Sequence, residues 1–266
     1  MNKVEKKLDV LCLGAAVVDI PLRPVSREVF DIESYPVDNI AMAVGGDAMN
    51  ESTIISRLGC KTGLMAAIGD DAAGAFILRS CDEDNIDTEG VTIDPNLNTS
   101  INIGLVTEDG ERTFITVQGA ECHFKKEWFE QIDMDNYENI YIAGYQVCGK
   151  SGEIISQWLK TVENVEEKHI FFAPGPMITA IESETMENLF ALKPILHINE
   201  AEAKGYTQQE NVEEAVRALY EKSGNLVFVT LGAEGTLFYD GKEMRRVASV
   251  KTNVVDTVGA GDSHIG

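Results

Sequence analysis

Positive charge is what this 266-residue sequence has least of: 22 Lys and Arg face 44 Asp and Glu, for a formal net charge of −22. A nucleic acid or an anionic membrane surface would bind against that field, so neither is expected as a partner. The acidity reads as solubility. Cysteine is also sparse. The five residues Cys12, Cys60, Cys81, Cys122 and Cys148 form no C-x-x-C pair, and without a secretory leader they are expected as reduced thiols in a cytosol. The four histidines lack metal-ligand spacing. Seven prolines gather into no linker, and no repeat of about 20–50 residues is present. No apolar run approaches membrane-spanning length, so a soluble, cytoplasmic protein is expected. A Walker-type G-x-x-x-x-G-K-[ST] loop is absent. So are G-x-G-x-x-G after the first strand, H-E-x-x-H and G-x-S-x-G.

What remains is a globular composition, 44% apolar and 25% charged, long enough for one large domain with a substantial core. Val10–Gly14 is a continuous apolar run, the pattern of a strand buried on both faces. Residues 20–44 read as irregular. A helix is expected over Ala48–Leu58, with Asp47 as N-cap and Gly59 as its stop. Thr62–Ile68 reads as one strand, followed by a helix to about Glu83. Thr99–Thr107 and Arg112–Val117, around Asp109-Gly110, give the strongest hairpin signal. With residues near 38–44 this hairpin suggests a small second sheet that flaps over a site. Beyond residue 125 helical and strand patterns alternate, starting with a helix over Lys125–Gln131. Such repeated units predict a mostly parallel sheet with helices on both faces.

Chemistry concentrates in Asp256-Thr-Val-Gly-Ala-Gly-Asp262. The small residues Gly259, Ala260 and Gly261 let successive backbone N–H groups converge on an anion. A carboxylate there makes sense if Asp262 takes a proton from a hydroxyl while the anion is a transferring phosphoryl group. The same residues could be a Gly-rich turn with Asp262 as an N-cap. Asp19, beyond the first strand, could accept hydrogen bonds from a polyol or be a loop residue. Gly45-Gly46 allow close backbone approach to a ligand, and Asn50 faces the same mouth as Asp19. Asn199 and Glu202 lie one turn apart. They could orient water ligands of a magnesium ion or form a capping box. Thr230-Leu-Gly232-Ala-Glu-Gly235 follows a buried strand and could clear space for a nucleotide or simply turn.

Together these motifs, in order and over essentially the whole chain, resemble the ribokinase-like (PfkB) carbohydrate kinases. The Asp256–Asp262 stretch resembles that family's most specific signature. Gly45-Gly46 with Asn50, Gly69-Asp70-Asp71 with Gly74, Asn199-x-x-Glu202 and Thr230–Gly235 resemble its other motifs. The resemblance implies a three-layer α/β sandwich with a small β-sheet lid from segments about 20–44 and 97–119. It implies ATP-dependent phosphorylation of a primary hydroxyl on a small sugar or sugar-like substrate, with a nucleoside as the alternative acceptor. Asp262 would be the general base, and Gly259, Ala260 and Gly261 the anion hole. Asp19, Gly45, Gly46 and Asn50 would grip the sugar. Thr230, Gly232 and Gly235 would line the ATP site, with Asn199 and Glu202 on Mg2+ through water. Asp256 and the carbonyl of Val258 match a possible K+ site. A homodimer through the lid is a further implication.

Several residues depart from the family pattern. The sequence stops at Gly266, where relatives continue with a long helix and the rest of the adenine pocket, so the C-terminal part of the family fold is expected to be absent. No helix is expected from Ser263–Gly266, and a catalytically impaired sugar-binding fragment is an alternative reading. His264 stands where relatives commonly carry an aromatic or apolar residue. Val17 and Ala173 replace polar residues, which argues against ribose. The Gly45-Gly-Asp-x-x-Asn50 form resembles some keto-sugar-acid kinases. Arg112 could meet a substrate carboxylate or sit on the flap surface.

Overall fold

A computed structural model describes residues 7–252 and 259–266. The chain begins with β1 (Leu8–Leu13), β2 (Val17–Arg23), β3 (Asn39–Ile40) and β4 (Ala43–Gly45), which lead into α1 (Asp47–Arg57). β5 (Thr62–Met65) and β6 (Ala67–Gly69) precede α2 (Ala72–Glu83), and β7 (Thr92–Asp94), β8 (Ile101–Val106) and β9 (Arg112–Val117) follow. The βα alternation then runs β10 (Tyr137–Ala143), α3 (Gly149–Leu159), β11 (His169–Ala173), α4 (Ser183–Ala191), β12 (Ile195–Asn199), α5 (Glu200–Thr207), α6 (Val212–Ser223) and β13 (Val227–Thr230). β14 (Thr236–Tyr239), β15 (Met244–Val247) and α7 (Ala260–Ile265) complete the described elements.

Eight strands form the main sheet in the order β15-β14-β13-β12-β11-β10-β1-β5. It is parallel from β13 to β5 and antiparallel at the β14 and β15 edge. Period-two alternation divides its side chains between two cores. Leu11 and Leu13 of β1 and Ile140 and Ile142 of β10 join one apolar cluster with Ile155 of α3 and Leu219 of α6. Cys12 of β1 and Tyr141 of β10 face the other way, onto Met49 of α1 and Ile77 of α2. Helices thus cover both faces, the layering of the ribokinase-like α/β fold. Val212–Ser223 has the sharpest apolar stripe, capped by Asn211, whose side chain accepts from Glu214 N, and ended by Gly224 in the left-handed region at φ +64°.

The small sheet is ordered β3-β2-β8-β9, with β4 also paired to β2. Residues 20–44 are therefore not wholly irregular: Pro21, in mid-strand, lies on a strand that pairs on both sides, and its neighbours supply the ladder. Thr62–Ile68 is two strands rather than one. β5 stays in the main sheet, and β6 leaves it to pair in parallel with β7. Lys126–Gln131 is a 3-10 turn and not the expected α-helix. The N-cap of α1 is Gly46. Asp47 is already helical, and its Oδ1 instead accepts from the N–H groups of Ala15 and Ala48, each at 2.8 Å. The helix Ala260–Ile265 runs on through Ser263–Ile265, where none was expected, because Ile265 joins the second core and Gly266 packs against Ile54.

Candidate active site

The space between the small sheet and α1 is an open cavity of about 1050 Å3, with Asp19, Asn50, Gly259 and Ser263 in its lining. Asp19 lies within β2 and not in a loop, in register with Asn102 of the parallel neighbour β8. The Asn102 amide donates to Asp19 Oδ1 at 2.8 Å. Burial raises the Asp19 pKa, and the Asn102 bond opposes the shift. A Cβ at Gly45 would fall 2.0 Å from Asp19 Oδ2, so the first glycine of the pair is needed for β4 to pass this carboxylate. Asn102 carries one sequence signal, an amide in the middle of an apolar run of β-formers. Arg112, on β9, lines the same cavity together with Arg23, Asp38 and Glu108, a mixture of both signs.

A second, smaller cavity of about 170 Å3 adjoins it, lined by Asp47, Glu51, Tyr141, Asn199, Glu202, Gly261 and Asp262 among others. A hydrogen bond links the two linings, and α7 contributes to both. Asn50 Nδ2, from the large cavity, donates to Asp262 Oδ2, in the small one, at 2.7 Å across 212 positions of sequence. His264 follows Asp262 by two residues, about 200° around the helix, and so turns toward the main sheet. Its Nδ1 is 2.9 Å from His197 Nε2 on β12, and its Nε2 is 2.9 Å from Thr236 Oγ1 on β14. One imidazole thus ties α7 to two strands of the main sheet. Burial pushes the half-buried His197 imidazole down to about 4, helped by the adjacent His264.

Carboxylates dominate the small cavity. Burial pushes Asp47 up to about 6 against the bonds it accepts, and Asp262 adds to the rise. Glu51 is 1% exposed, and burial raises it well above the usual range, with Asp262 and Asp47 contributing. Its Oε1 accepts from Tyr141 OH at 2.9 Å. Neither Asp47 nor Glu51 was legible as a site residue, because Asp47 reads as a cap and Glu51 as one helical position among many.

At the ends of β12 and β13, Asn199 and Glu202 form a capping box. Glu202 N donates to Asn199 Oδ1 at 2.9 Å, and Asn199 N donates to Glu202 Oε2 at 3.1 Å. Burial raises the Glu202 pKa while the Asn199 bonds oppose it. Asn199, Thr230 and Gly232 line a shallow depression of about 420 Å3. Gly235 lines none of these spaces. Its φ of +96° brings it against β15, where a Cβ would lie 1.9 Å from Val247 O, so its need for glycine is a turn. Gly46 packs its backbone on Ala15, and Ala260 is exposed at the start of α7. Asp256 and Val258 lie outside the described residues. Among the described residues no group of three or more His, Cys, Asp or Glu could hold a metal directly.

The sequence profile of the pfkB family carbohydrate kinases matches residues 7–266. The chain belongs to that family. It is 26% identical over 274 residues to the uncharacterized sugar kinase YegV of Escherichia coli, an alignment that covers 100% of this chain and 82% of that one. Among solved structures, the PfkB chain superposes on fructokinase with bound ATP from Xylella fastidiosa with a TM-score of 0.82 at 18% identity, covering 98% of this chain and 80% of that one. The adenosine kinase of Sinorhizobium meliloti gives a TM-score of 0.78 at 23% identity, covering 97% and 85%. At such identities the superpositions speak for the fold. The family match makes this PfkB protein a phosphotransferase of the sugar and nucleoside kinase group. No described helix is long and apolar enough to cross a membrane.

Proposed function

We propose that this PfkB kinase transfers the terminal phosphoryl of ATP to a primary hydroxyl of a small sugar, a sugar-like compound or a nucleoside held in the larger cavity. The observation that carries the reading is the Asn50–Asp262 bond, which joins the acceptor cavity to the small one at a single carboxylate. Asp262 takes the hydroxyl proton as the oxygen attacks. Phosphoryl transfer needs alignment and charge stabilisation more than covalent help from the protein, and two cavities meeting at one base supply the alignment. Asp19, oriented by Asn102, and Asn50 bind acceptor hydroxyls, with the Gly45-Gly46 backbone alongside. Gly259, Ala260 and Gly261 present backbone N–H groups to the transferring group.

ATP would lie along the strand ends, over Thr230 and Gly232, and Gly235 shapes the turn beside it. Glu202 and Asn199 spend part of their hydrogen-bonding capacity on each other, which fits a magnesium ion held through water and not by direct ligation. When bound, that ion supplies charge neutralisation to the polyphosphate. A K+ site at Asp256 and Val258 belongs to the same reading. The small sheet acts as a lid that excludes water as a competing acceptor. Its outer strand β9 exposes Phe114, Ile115 and Val117 at the edge of the sheet as described, which suits a homodimer formed lid to lid.

The test is ADP release from Mg-ATP with a panel of ketoses, aldoses, sugar acids and nucleosides. Release that depends on one acceptor class is expected. A protein that binds Mg-ATP yet releases ADP at the same rate with and without every acceptor contradicts the reading.

A further inference from the structure

Glu51 is a buried acid that the proposed mechanism leaves without a task. It sits one residue after Asn50 on α1, is 1% exposed, and reaches into the small cavity beside Asp262. One of its oxygens is bound by Tyr141 OH at 2.9 Å. The other, Oε2, is sealed from solvent and has no hydrogen-bond partner. Asp47 Oδ2, from the same cavity lining, is likewise buried without a partner, and two such orphans in one cavity point to a group that binds there.

The surroundings decide which form of the acid is present. Asp47 stands one turn before it, Cys12 of β1 lies nearby, Tyr141 of β10 is bonded to it and Asp262 of α7 shares the cavity. The far wall adds Tyr145, His197 and Glu202. Among the described residues no lysine or arginine lines the cavity. An ionised Glu51 would be a buried charge with one neutral donor and carboxylates around it, a costly arrangement. Burial, Asp262 and Asp47 all raise its pKa. A protonated carboxyl is a hydrogen-bond donor as well as an acceptor, and Glu51 is part of the cavity lining.

We propose that Glu51 works as a neutral acid whose Oε2–H donates to an anionic oxygen of the phosphoryl group passing through the small cavity. The inference rests on the kinase reading above. No proton changes hands in this contact: Glu51 keeps its proton, and Asp262 accepts the one from the acceptor hydroxyl. A neutral donor suits this place because it stabilises developing phosphate charge without neutralising the adjacent base.

Three forms of the full chain test it: wild type, Glu51→Leu and the isosteric Glu51→Gln, which keeps a donor but cannot ionise. With an acceptor that supports ADP release, Glu51→Leu is expected to lower kcat about 10- to 100-fold with the acceptor KM changed by less than about twofold. Glu51→Gln restores most of that loss. Wild-type kcat falls at alkaline pH as Glu51 ionises, and the Gln variant lacks that limb. Without any ligand, a folded-state pKa above the unfolded value means that wild-type stability declines as pH rises from about 4.3. The melting temperature of Glu51→Gln should decline less over the same range, which keeps the test open if the Leu variant fails to fold. Equal kcat in wild type and Glu51→Leu, an alkaline limb shared by wild type and Glu51→Gln, or identical melting profiles would each overturn the inference while leaving the kinase reading intact. No ADP release with any acceptor would instead overturn the kinase reading beneath it.

Discussion

The two halves of the site are assembled differently. On the strand-end side each functional residue is fixed by its own neighbourhood: Asn199 and Glu202 cap each other across three positions, and Gly232 opens the turn two residues after Thr230 ends β13. On the acceptor side the contacts span the chain, 83 positions for Asn102 to Asp19 and 212 for Asn50 to Asp262. Local motifs double as structural caps, so their loss should affect stability and function together. Long-range pairs stand at a cavity rim and hold no element in place alone, so their loss should affect function first.

The largest expected effect is at the point where the distant segments converge. Asp262→Asn keeps an acceptor atom for the Asn50 amide but loses the base, and kcat should fall about 10²–10⁴-fold with an unchanged melting temperature. A parallel fall in melting temperature would break the contrast. Next comes Asp19→Ala. Loss of a carboxylate that binds hydroxyls should weaken the acceptor by about 1.5–3 kcal/mol, read as a KM raised roughly 10- to 150-fold, again at little loss of stability. Asn199→Ala sharpens the comparison from the other side. It removes an N-cap, for about 1 kcal/mol of stability, and should weaken Mg-ATP binding as well. Denaturant melts and calorimetry read the two effects.

The smallest effect concerns the His197–His264 clasp. The His197 pKa of about 4 lies below its ordinary 6.5, so the folded state disfavours the proton. The stability this gives is fully present above 6.5 and is lost as pH falls through about 4. His197→Gln should flatten the decline in melting temperature across that interval. An unchanged slope would show that the clasp does not titrate with folding.

The same contrast explains what could be read from sequence. β1 and the β8–β9 hairpin follow from period and turn chemistry, so they emerged near their true bounds. The break that turns Thr62–Ile68 into two strands did not, since leaving the main sheet at Ala66 is a tertiary decision that apolar period cannot signal. Asp47 looked like a cap because its residue type and position suit one. In the fold it ties α1 to the turn after β1, through Ala15 N. Asn199 and Glu202 were legible in both senses, and the capping box is what the fold displays. Asn102 and Glu51 depend on neighbours far away in sequence: the Asn102 amide stands out only against its apolar run, and Glu51 reads as one helical position among many.

Following the label of γ-labelled ATP tests the joined site most directly. With wild-type protein and an acceptor that supports ADP release, the label should be found on a primary hydroxyl of the acceptor. With Asp262→Asn that transfer should be nearly lost, although the acceptor still binds. Label recovered only as inorganic phosphate, at the same rate with and without acceptor, would contradict the claim that the two cavities form one phosphoryl-transfer site.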